Sequence, residues 1–268
     1  MQFDIEYLIA VAKKAGLAIM EIYETTDSIE IQSKTDNSPL TNADIAAHET
    51  IISELTNKYP HIPIVSEEGR IGNPLDSEFS WLVDPLDGTK EFIKRNGMFT
   101  VNIALMKKNL KRWEPIIGIV HAPATNKTWT GNTQNSIAQL IIEDRPPKQI
   151  SVINNITSPI KLVASGSHRN ERDEIFANAL GTHHLIRMGS SLKACIVAEG
   201  SANLYPRFGP TSCWDIAAAH AVVTAAGGII VGPDAKTLTY DILENILNPY
   251  FLVACSSDWN KLWINNQD

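Results

Sequence analysis

The amino-acid sequence predicts a layered α/β or α+β fold. Amphipathic helical patterns and short apolar strand patterns occur in both halves of the chain, and no repeat or low-complexity tract interrupts them. With 268 residues, of which 44% are hydrophobic and 20% charged, the chain has an ordinary globular composition. A chain of this length buries about three quarters of its unfolded surface on folding, so it needs no disulfide staples.

The first half of the chain predicts two helices and then four strands. Apolar side chains recur at helical spacing near the N-terminus, at Ile5, Leu8, Ile9, Ala12, Ile19 and Ile22. A second helix is expected to begin near Thr41, because Thr41-x-x-Asp44 is typical of a capping box, and to end before Pro60. The strands are predicted at Pro63–Val65, Ser80–Val83, Thr100–Met106 and Glu114–Val120, with the last two forming a hairpin.

Arg145-Pro146-Pro147 marks the expected boundary between two closely packed subdomains of one domain, residues 1–147 and 148–268. Beyond it, the pattern predicts a further set of elements. These are strand Lys161–Ala164, helix Glu171–Leu180, helix Ser190–Glu199, helix Trp214–Ala226, strand Ile229–Val231 and strand Phe251–Cys255. The last of the three helices is expected to end at Gly227-Gly228, since glycine is favoured just past a helix C-terminus.

Charge and cysteine usage exclude several classes of protein. A net charge of −7 argues against nucleic-acid binding, which usually requires a basic excess. The three cysteines, Cys195, Cys213 and Cys255, lie in apolar surroundings and are expected to be buried thiols in a reducing compartment. No transmembrane run or signal peptide is expected, so the sequence predicts a cytoplasmic protein, with peripheral contact at the cytoplasmic face of a membrane left open.

The most informative segment is Asp84-Pro85-Leu86-Asp87-Gly88-Thr89, which directly follows an apolar strand. Pro85 and Gly88 permit a sharp turn that aims both carboxylates and the Leu86 carbonyl at one point. Hard divalent cations such as Mg²⁺ prefer these oxygen ligands, and Mg²⁺ usually also binds a substrate phosphate. The alternative is a Pro-Gly turn whose aspartates only cap a helix.

Two further acidic positions favour the metal site over the turn. Glu67 follows another short strand, and Asp215 begins an Ala-rich helix, where it could instead complement the helix dipole. Thr89 is placed to meet a phosphate or a water molecule. Metal-dependent hydrolysis of a phosphate ester is therefore the hypothesis that the residues favour. The chain has no P-loop, no G-x-S-x-G elbow and no H-E-x-x-H motif, which disfavours NTPases, serine hydrolases and zincins.

These motifs resemble the lithium-sensitive, magnesium-dependent inositol monophosphatase superfamily. The Glu67-Glu68 pair, the Asp84–Thr89 segment and the late Trp214-Asp215 pair occur in the family's order. The Lys90-Glu91 pair that follows Thr89 is more similar to the 3′(2′),5′-bisphosphate nucleotidase branch than to the inositol monophosphatases. The resemblance covers nearly the whole chain and implies the sugar-phosphatase-type layered fold.

The resemblance also implies roles for individual residues. It implies two or three Mg²⁺ ions held by Glu67, Asp84, the Leu86 carbonyl, Asp87 and Asp215. Asp44 and Thr89 are expected to orient and deprotonate the attacking water, with a simple helix cap as the alternative role for Asp44. Asp36 is expected to be a solvated loop residue rather than a third-metal ligand. The substrate is expected to contact Gly88, Thr89, His168, Ser190, Lys193, Arg207 and Asp215.

The implied reaction is the hydrolysis of 3′-phosphoadenosine 5′-phosphate to AMP and phosphate, with related activity on 3′-phosphoadenylyl sulfate in sulfur metabolism. His168 could also be an ordinary loop histidine, and Tyr205 is expected to be a packing residue rather than a base-stacking platform. Cys213, where many superfamily members carry a polar residue, leaves the exact substrate fit open. An inositol or other sugar monophosphatase and a non-catalytic nucleotide-binding regulator remain alternatives, as do a monomer and a homodimer.

Overall fold

A computed structural model describes residues 3–25, 31–33, 39–143, 145–153, 155, 157–165 and 171–267. The helices are α1 (Ile5–Glu24), α2 (Asn42–Lys58), α3 (Thr89–Ile93), α4 (Glu171–Leu180), α5 (Leu192–Ala198), α6 (Cys213–Ala225) and α7 (Asn260–Asn265). The strands are β1 (Ile31–Ser33), β2 (Pro39–Thr41), β3 (Ile64–Ser66), β4 (Gly69–Ile71), β5 (Phe79–Asp87), β6 (Thr100–Asn109), β7 (Arg112–Ala122), β8 (Lys127–Asn132), β9 (Ile137–Ile142), β10 (Lys148–Gln149), β11 (Ile160–Ser165), β12 (His183–Met188), β13 (Leu204–Arg207), β14 (Ile229–Val231) and β15 (Phe251–Ala254).

In the described part of the chain, two large sheets alternate with three helical layers, which confirms the predicted layered fold, and β1 and β2 form a separate two-stranded sheet. The larger sheet has eight strands in the order β10-β9-β8-β7-β6-β5-β3-β4, and the smaller has five in the order β12-β11-β13-β15-β14. Helices α1 and α2 cover one face of the larger sheet, while α5 and α6 lie between the two sheets. Helices α4 and α7 cover the outer face of the smaller sheet, where Phe176 and Trp263 are completely buried.

Helix α6 lies directly on the backbone of the larger sheet. Gly118 of β7 and Gly131 of β8 are paired across the two strands, so together they leave a shallow groove. A Cβ atom at Gly118 would lie 2.0 Å from the Ala218 carbonyl oxygen, and one at Gly131 would lie 2.4 Å from Val222 Cα. The paired glycines and the Ala-rich helix therefore allow a contact closer than any side chain permits, and this contact fixes the position of the α6 N-terminus.

Most predicted elements are present, with boundaries that differ by a few residues. The predicted hairpin is the antiparallel pair β6–β7, and Thr41 caps α2 through a capping box with Asp44. The predicted helix Ser190–Glu199 begins only at Leu192, because Ser190 has a φ of 53° in the left-handed region. The predicted strand Ser80–Val83 extends through Asp87. The subdomain boundary at residues 147/148 stays a prediction.

Candidate active site

The Asp84–Thr89 segment forms an irregular end of strand β5. The pairing of β5 with β6 shifts register between Asp84 and Asp87, so a bulge contains Pro85 and Leu86. The Leu86 N–H donates to Asp84 Oδ1 at 3.1 Å, which fixes the buried carboxylate in the turn. Gly88 then adopts a φ of 93°, and a Cβ atom there would lie 3.0 Å from the Met98 carbonyl oxygen. Both the dihedral angle and the close approach therefore favour glycine at this position.

Glu67 enters the same site from the neighbouring strand. Strands β3 and β5 run parallel, and Ser66 is paired with Val83. Glu67 and Asp84 therefore follow their strands at the same edge of the sheet. The Glu67 N–H donates to the Val83 carbonyl oxygen at 3.0 Å, which fixes the backbone of Glu67 beside that of Asp84.

Two helix N-termini supply the remaining carboxylates, and both do so through capping boxes. Asp44 Oδ2 accepts hydrogen bonds from the Thr41 N–H at 2.8 Å and from Thr41 Oγ1 at 2.6 Å. Its other oxygen, Oδ1, accepts a hydrogen bond from Thr89 Oγ1 at 3.3 Å. Asp215 Oδ2 accepts a hydrogen bond from the Ser212 N–H at 2.9 Å. For Asp44, the capping role and the site role are thus compatible, because each uses a different oxygen.

The carboxylates repel one another strongly. Burial, and then the negative charges of Glu67, Asp87, Asp215 and Asp44, raise the pKa of Asp84 well above its usual value. Burial and the charge of Asp87 raise the pKa of Asp215 to about 8. The Asp215 side chain is half-buried and keeps some contact with solvent. Such raised pKa values indicate that the cluster is electrostatically suited to bind cations.

The donor set fits hard divalent cations. None of the ion pairs between described residues involves Asp84, Asp87 or Asp215. No group of three or more His, Cys, Asp or Glu side chains in the described ranges is arranged so that these side chains alone could hold a metal ion. Mg²⁺ does not require one, since it is commonly held by one or two carboxylates, with water and substrate phosphate completing the shell. The cleft lined by Glu67, Asp84, Leu86, Asp87 and Asp215, which we name the acidic cleft, offers such a partial oxygen shell.

A cationic pocket adjoins the acidic cleft. Lys193 is buried, donates to the Ser190 carbonyl oxygen at 2.6 Å and lies 5.5 Å above the centre of the Tyr205 ring. Burial lowers the pKa of Lys193 to about 8, an effect that the charges of Asp87 and Glu91 oppose. Arg207 lines the same pocket, and its buried Nε has no hydrogen-bond partner among the described residues.

The acidic cleft and the cationic pocket share one wall. Both are lined by Asp87, Gly88, Lys90, Glu91, Thr211 and Asp215. A group placed at this wall meets carboxylates on one side and the Lys193 and Arg207 cations on the other. Tyr205 is buried and packs edge-on against Phe251 with ring centroids 5.9 Å apart, as its predicted packing role requires.

Comparison with known proteins identifies the family. The profile of the Inositol monophosphatase family matches residues 1–263, which is nearly the whole chain.

The chain belongs to the inositol monophosphatase family.

Relatives within this family are similar over most of their length. The 3′(2′),5′-bisphosphate nucleotidase CysQ of Escherichia coli K12 is 45% identical over 91% of this chain and 96% of its own. The protein of the same name from Salmonella typhimurium is 43% identical over 93% of this chain and 99% of its own. The crystal structure of CysQ from Bacteroides thetaiotaomicron matches with a TM-score of 0.78 and 37% identity, covering 95% of this chain and 98% of that one.

The structure brings most of the predicted site residues of this family member together. The acidic cleft contains Glu67, Asp84, Leu86, Asp87, Thr89 and Asp215, and the cationic pocket contains Ser190, Lys193 and Arg207. Asp44 reaches the cleft through its hydrogen bond with Thr89. His168 and Asp36 lie outside the described residues. The individual roles of these residues stay predictions.

Sequence reasoning missed several residues around this site. Glu91 and Thr211 line both clefts, and Thr100, Asn102 and Ser191 form buried hydrogen bonds behind Asp87 and Ser190. Glu91, Ser191 and Thr211 had a local signal, because each lies within a few residues of Thr89, Ser190 or Asp215. The other residues are ordinary in sequence, and no local pattern predicts that they meet.

The remaining predictions concern the cysteines and the membrane. Cys195, Cys213 and Cys255 are buried free thiols, and burial raises the pKa of Cys213 to about 12, which disfavours a reactive thiolate. No helix in the described part of the chain has the length and apolar character needed to cross a bilayer.

Proposed function

We propose that this protein is a magnesium-dependent 3′(2′),5′-bisphosphate nucleotidase. It hydrolyses 3′-phosphoadenosine 5′-phosphate to AMP and inorganic phosphate, and it also acts on 3′-phosphoadenylyl sulfate. Membership of a phosphatase family and the high similarity to CysQ proteins along nearly the whole chain support this proposal.

One observation carries the proposal: the acidic cleft and the cationic pocket share a wall. The scissile phosphate monoester lies at that wall, with the carboxylates of Asp84, Asp87 and Asp215 on one side. Lys193 and Arg207 lie on the other side, where they bind phosphate oxygens of a doubly phosphorylated substrate. A substrate with two separate phosphates uses both halves of the site, whereas a monoester of a neutral polyol uses mainly the first.

Two or three Mg²⁺ ions in the acidic cleft would neutralise the phosphoryl oxygens and lower the pKa of the attacking water. Glu67, Asp84, Asp87, Asp215 and the Leu86 carbonyl would hold them. The proposed ligands come from two strand ends and one helix N-terminus, so the fold sets their relative positions before substrate binds.

Thr89 and Asp44 take the proton from the attacking water. Thr89 Oγ1 shares its own hydrogen between Asp44 Oδ1 at 3.3 Å and the Leu86 carbonyl oxygen at 3.4 Å, so its lone pairs remain to accept a hydrogen bond from water. The Thr41 cap fixes Asp44 and thereby orients the Thr89 hydroxyl. The new P–O bond forms to the water oxygen as the P–O3′ bond breaks. O3′ leaves with the electron pair of that bond and takes a proton from solvent water to become the 3′-hydroxyl of AMP, so no covalent enzyme intermediate is formed.

The proposal is tested by measuring phosphate release from the purified protein with Mg²⁺, using 3′-phosphoadenosine 5′-phosphate and inositol 1-phosphate in parallel. We expect a strong preference for the bisphosphate. Asp84→Asn should abolish turnover of both substrates, whereas Asp76→Asn, the same change at an exposed position, should not alter it. A preference for inositol 1-phosphate would refute the substrate, and full activity of Asp84→Asn would refute the ligand assignment.

A further inference from the structure

A buried cluster of hydroxyl and amide groups lies behind Asp87. Ser190 Oγ donates to Asp87 Oδ2 at 2.7 Å, and the Ser191 N–H donates to the same oxygen at 2.6 Å. Thr100 Oγ1 lies 2.6 Å from Ser190 Oγ and 2.8 Å from Ser191 Oγ. Asn102 Oδ1 accepts from Ser191 Oγ at 2.9 Å and lies 3.1 Å from Thr100 Oγ1. We name Thr100, Asn102, Ser190 and Ser191 the hydroxyl bridge.

Each hydroxyl of the hydroxyl bridge has one proton, and this sets which group donates in each hydrogen bond. Ser190 Oγ donates its single proton to Asp87 Oδ2. The 2.6 Å contact between Thr100 and Ser190 then requires Thr100 to donate. Thr100 Oγ1 in turn accepts from Ser191 Oγ, whose proton it shares with Asn102 Oδ1. The hydroxyls of Thr100 and Ser190 therefore both point towards Asp87, and the Ser190 hydroxyl has no proton left for a substrate phosphate.

The hydroxyl bridge joins elements that are distant in sequence. Thr100 and Asn102 lie on β6, about 90 residues before Ser190 and Ser191, which precede α5. Thr100 and Asn102 are 0% and 1% exposed, so these contacts do not exchange with bulk water. Ser190 has a φ of 53°, a conformation that costs free energy in a non-glycine residue and that the surrounding contacts must maintain.

The same loop also carries the phosphate side of the site. The Ser190 carbonyl oxygen accepts a hydrogen bond from Lys193 Nζ at 2.6 Å. All three described hydrogen bonds to the Asp87 carboxylate are accepted by Oδ2, which leaves Oδ1 for a cation. The hydroxyl bridge thus orients the Asp87 carboxylate of the acidic cleft. It also orients the loop that binds the Lys193 ammonium group of the cationic pocket.

We propose that Thr100 and Asn102 are positioning residues for cation binding, acting through Ser190 and Ser191 to hold Asp87 Oδ2 so that Oδ1 faces the acidic cleft. In this arrangement Ser190 supports Asp87 rather than donating to the substrate phosphate. The inference rests on the proposed function, which supplies the cation that Asp87 would bind. Hydrogen-bonded residues that support a metal ligand typically change metal affinity 10–100-fold when they are lost, and Thr100 and Asn102 fix the two residues that donate to Asp87.

The first test compares two variants at one position with a matched control elsewhere. Thr100→Val keeps the shape of the side chain but removes the hydroxyl, and Thr100→Ser restores it. Thr128→Val is the control, because Thr128 is also a buried sheet threonine and its Oγ1 bonds His121 Nδ1 at 2.9 Å, not the site. Binding of Mn²⁺ is followed by electron paramagnetic resonance without substrate. We expect a 10–100-fold weaker affinity for Thr100→Val and wild-type affinity for Thr100→Ser and Thr128→Val.

A double-variant cycle separates positioning from general packing. If Thr100 acts through Ser190, the affinity lost in Thr100→Val combined with Ser190→Ala should be far less than the sum of the two single losses. Additive losses would contradict the relay. Wild-type Mn²⁺ affinity in folded Thr100→Val would overturn the proposal.

If Thr100→Val fails to fold, Ser191→Ala provides the decisive measurement, because it removes only one oxygen and keeps the N–H that donates to Asp87. It should weaken Mn²⁺ binding several-fold, and unchanged affinity would overturn the proposal. The proposed function fails separately: a wild-type protein that binds Mn²⁺ but does not hydrolyse 3′-phosphoadenosine 5′-phosphate would refute the nucleotidase and leave the positioning result standing.

Discussion

Asp215→Asn should stabilise the metal-free protein while removing its response to Mg²⁺. Asp215 has a usual pKa of 3.8, and the structure raises it to about 8 through burial and the charge of Asp87. Because the pKa is higher in the folded than in the unfolded state, the metal-free protein loses stability as the pH rises from about 4 to about 8. Asparagine carries no such charge, and its side-chain oxygen still accepts from the Ser212 N–H.

The size of the effect follows from this pKa difference. From 3.8 to about 8, linkage gives an upper limit of about 6 kcal/mol at pH 8. Asp215 is only half-buried, so water and salt screen part of the repulsion, and we expect about 2–3 kcal/mol. For a protein of this size, that corresponds to a rise in Tm of about 5–10 °C. Conversely, Mg²⁺ at 100 times its Kd stabilises the wild type by about 2.7 kcal/mol per site.

The assay is thermal unfolding followed by circular dichroism at pH 6 and pH 8, in EDTA and in excess Mg²⁺. In EDTA, Asp215→Asn should unfold at a higher temperature than the wild type, with the larger difference at pH 8. In Mg²⁺, the wild type should gain stability and the variant should not. Asp76→Asn is the matched control, because Asp76 is exposed and outside the cluster.

Two results would refute this reasoning. Equal Tm values for the wild type and Asp215→Asn in EDTA at pH 8 would mean that the carboxylates do not repel one another as their arrangement requires. An equal gain of stability from Mg²⁺ in both proteins would mean that Asp215 is not a cation ligand.

Three further predictions test other parts of the structure. Gly131→Ala should destabilise the protein by about 1–3 kcal/mol and reduce turnover, because a Cβ atom 2.4 Å from Val222 Cα pushes α6 away from the sheet; Gly232→Ala, with nothing nearer than 3.7 Å, is the control in thermal unfolding. Lys193→Met should raise the KM for the bisphosphate about 10–100-fold. It should also remove a rise in wild-type KM above about pH 8, where Lys193 loses its proton; identical pH profiles would contradict the phosphate contact. His220 is neutral because burial lowers its pKa to about 3, so its contribution to stability is complete above pH 6.5 and declines as the pH falls. Between pH 7 and pH 4.5, the free energy of unfolding measured by urea titration should therefore fall by about 3 kcal/mol less for His220→Gln than for the wild type. Parallel plots of this free energy against pH for the two proteins would exclude this role.

Local signals predicted much of the fold and the acidic cleft. The capping box at Thr41 and the helical spacing near the N-terminus depend on residues a few positions apart, so α1 and the start of α2 agree with the sequence. The Asp84–Thr89 segment contains its proline, glycine and carboxylates within six residues, and the bulge forms where they predict a turn.

Nonlocal pairing explains most of what was missed. Strand β8 contains a glycine and several polar residues and is a strand because it lies between β7 and β9. Strand β12 is an edge strand without a fully buried residue, and the connection to its parallel neighbour β11 contains helix α4. In α2 the exposed Ile45, at 40%, shows that the sheet rather than hydrophobicity alone selects the buried face.

The sequence by itself determined the layered fold class, the family resemblance and the carboxylates that point to a metal-dependent phosphatase. It could do so because turn, cap and ligand chemistry is encoded within short segments. Only the tertiary structure decided that α6 packs directly on the sheet backbone at Gly118 and Gly131, and that Thr100 contacts Ser190 behind Asp87. These contacts join residues about 90 or more positions apart, and chain topology, not local propensity, brings such residues together.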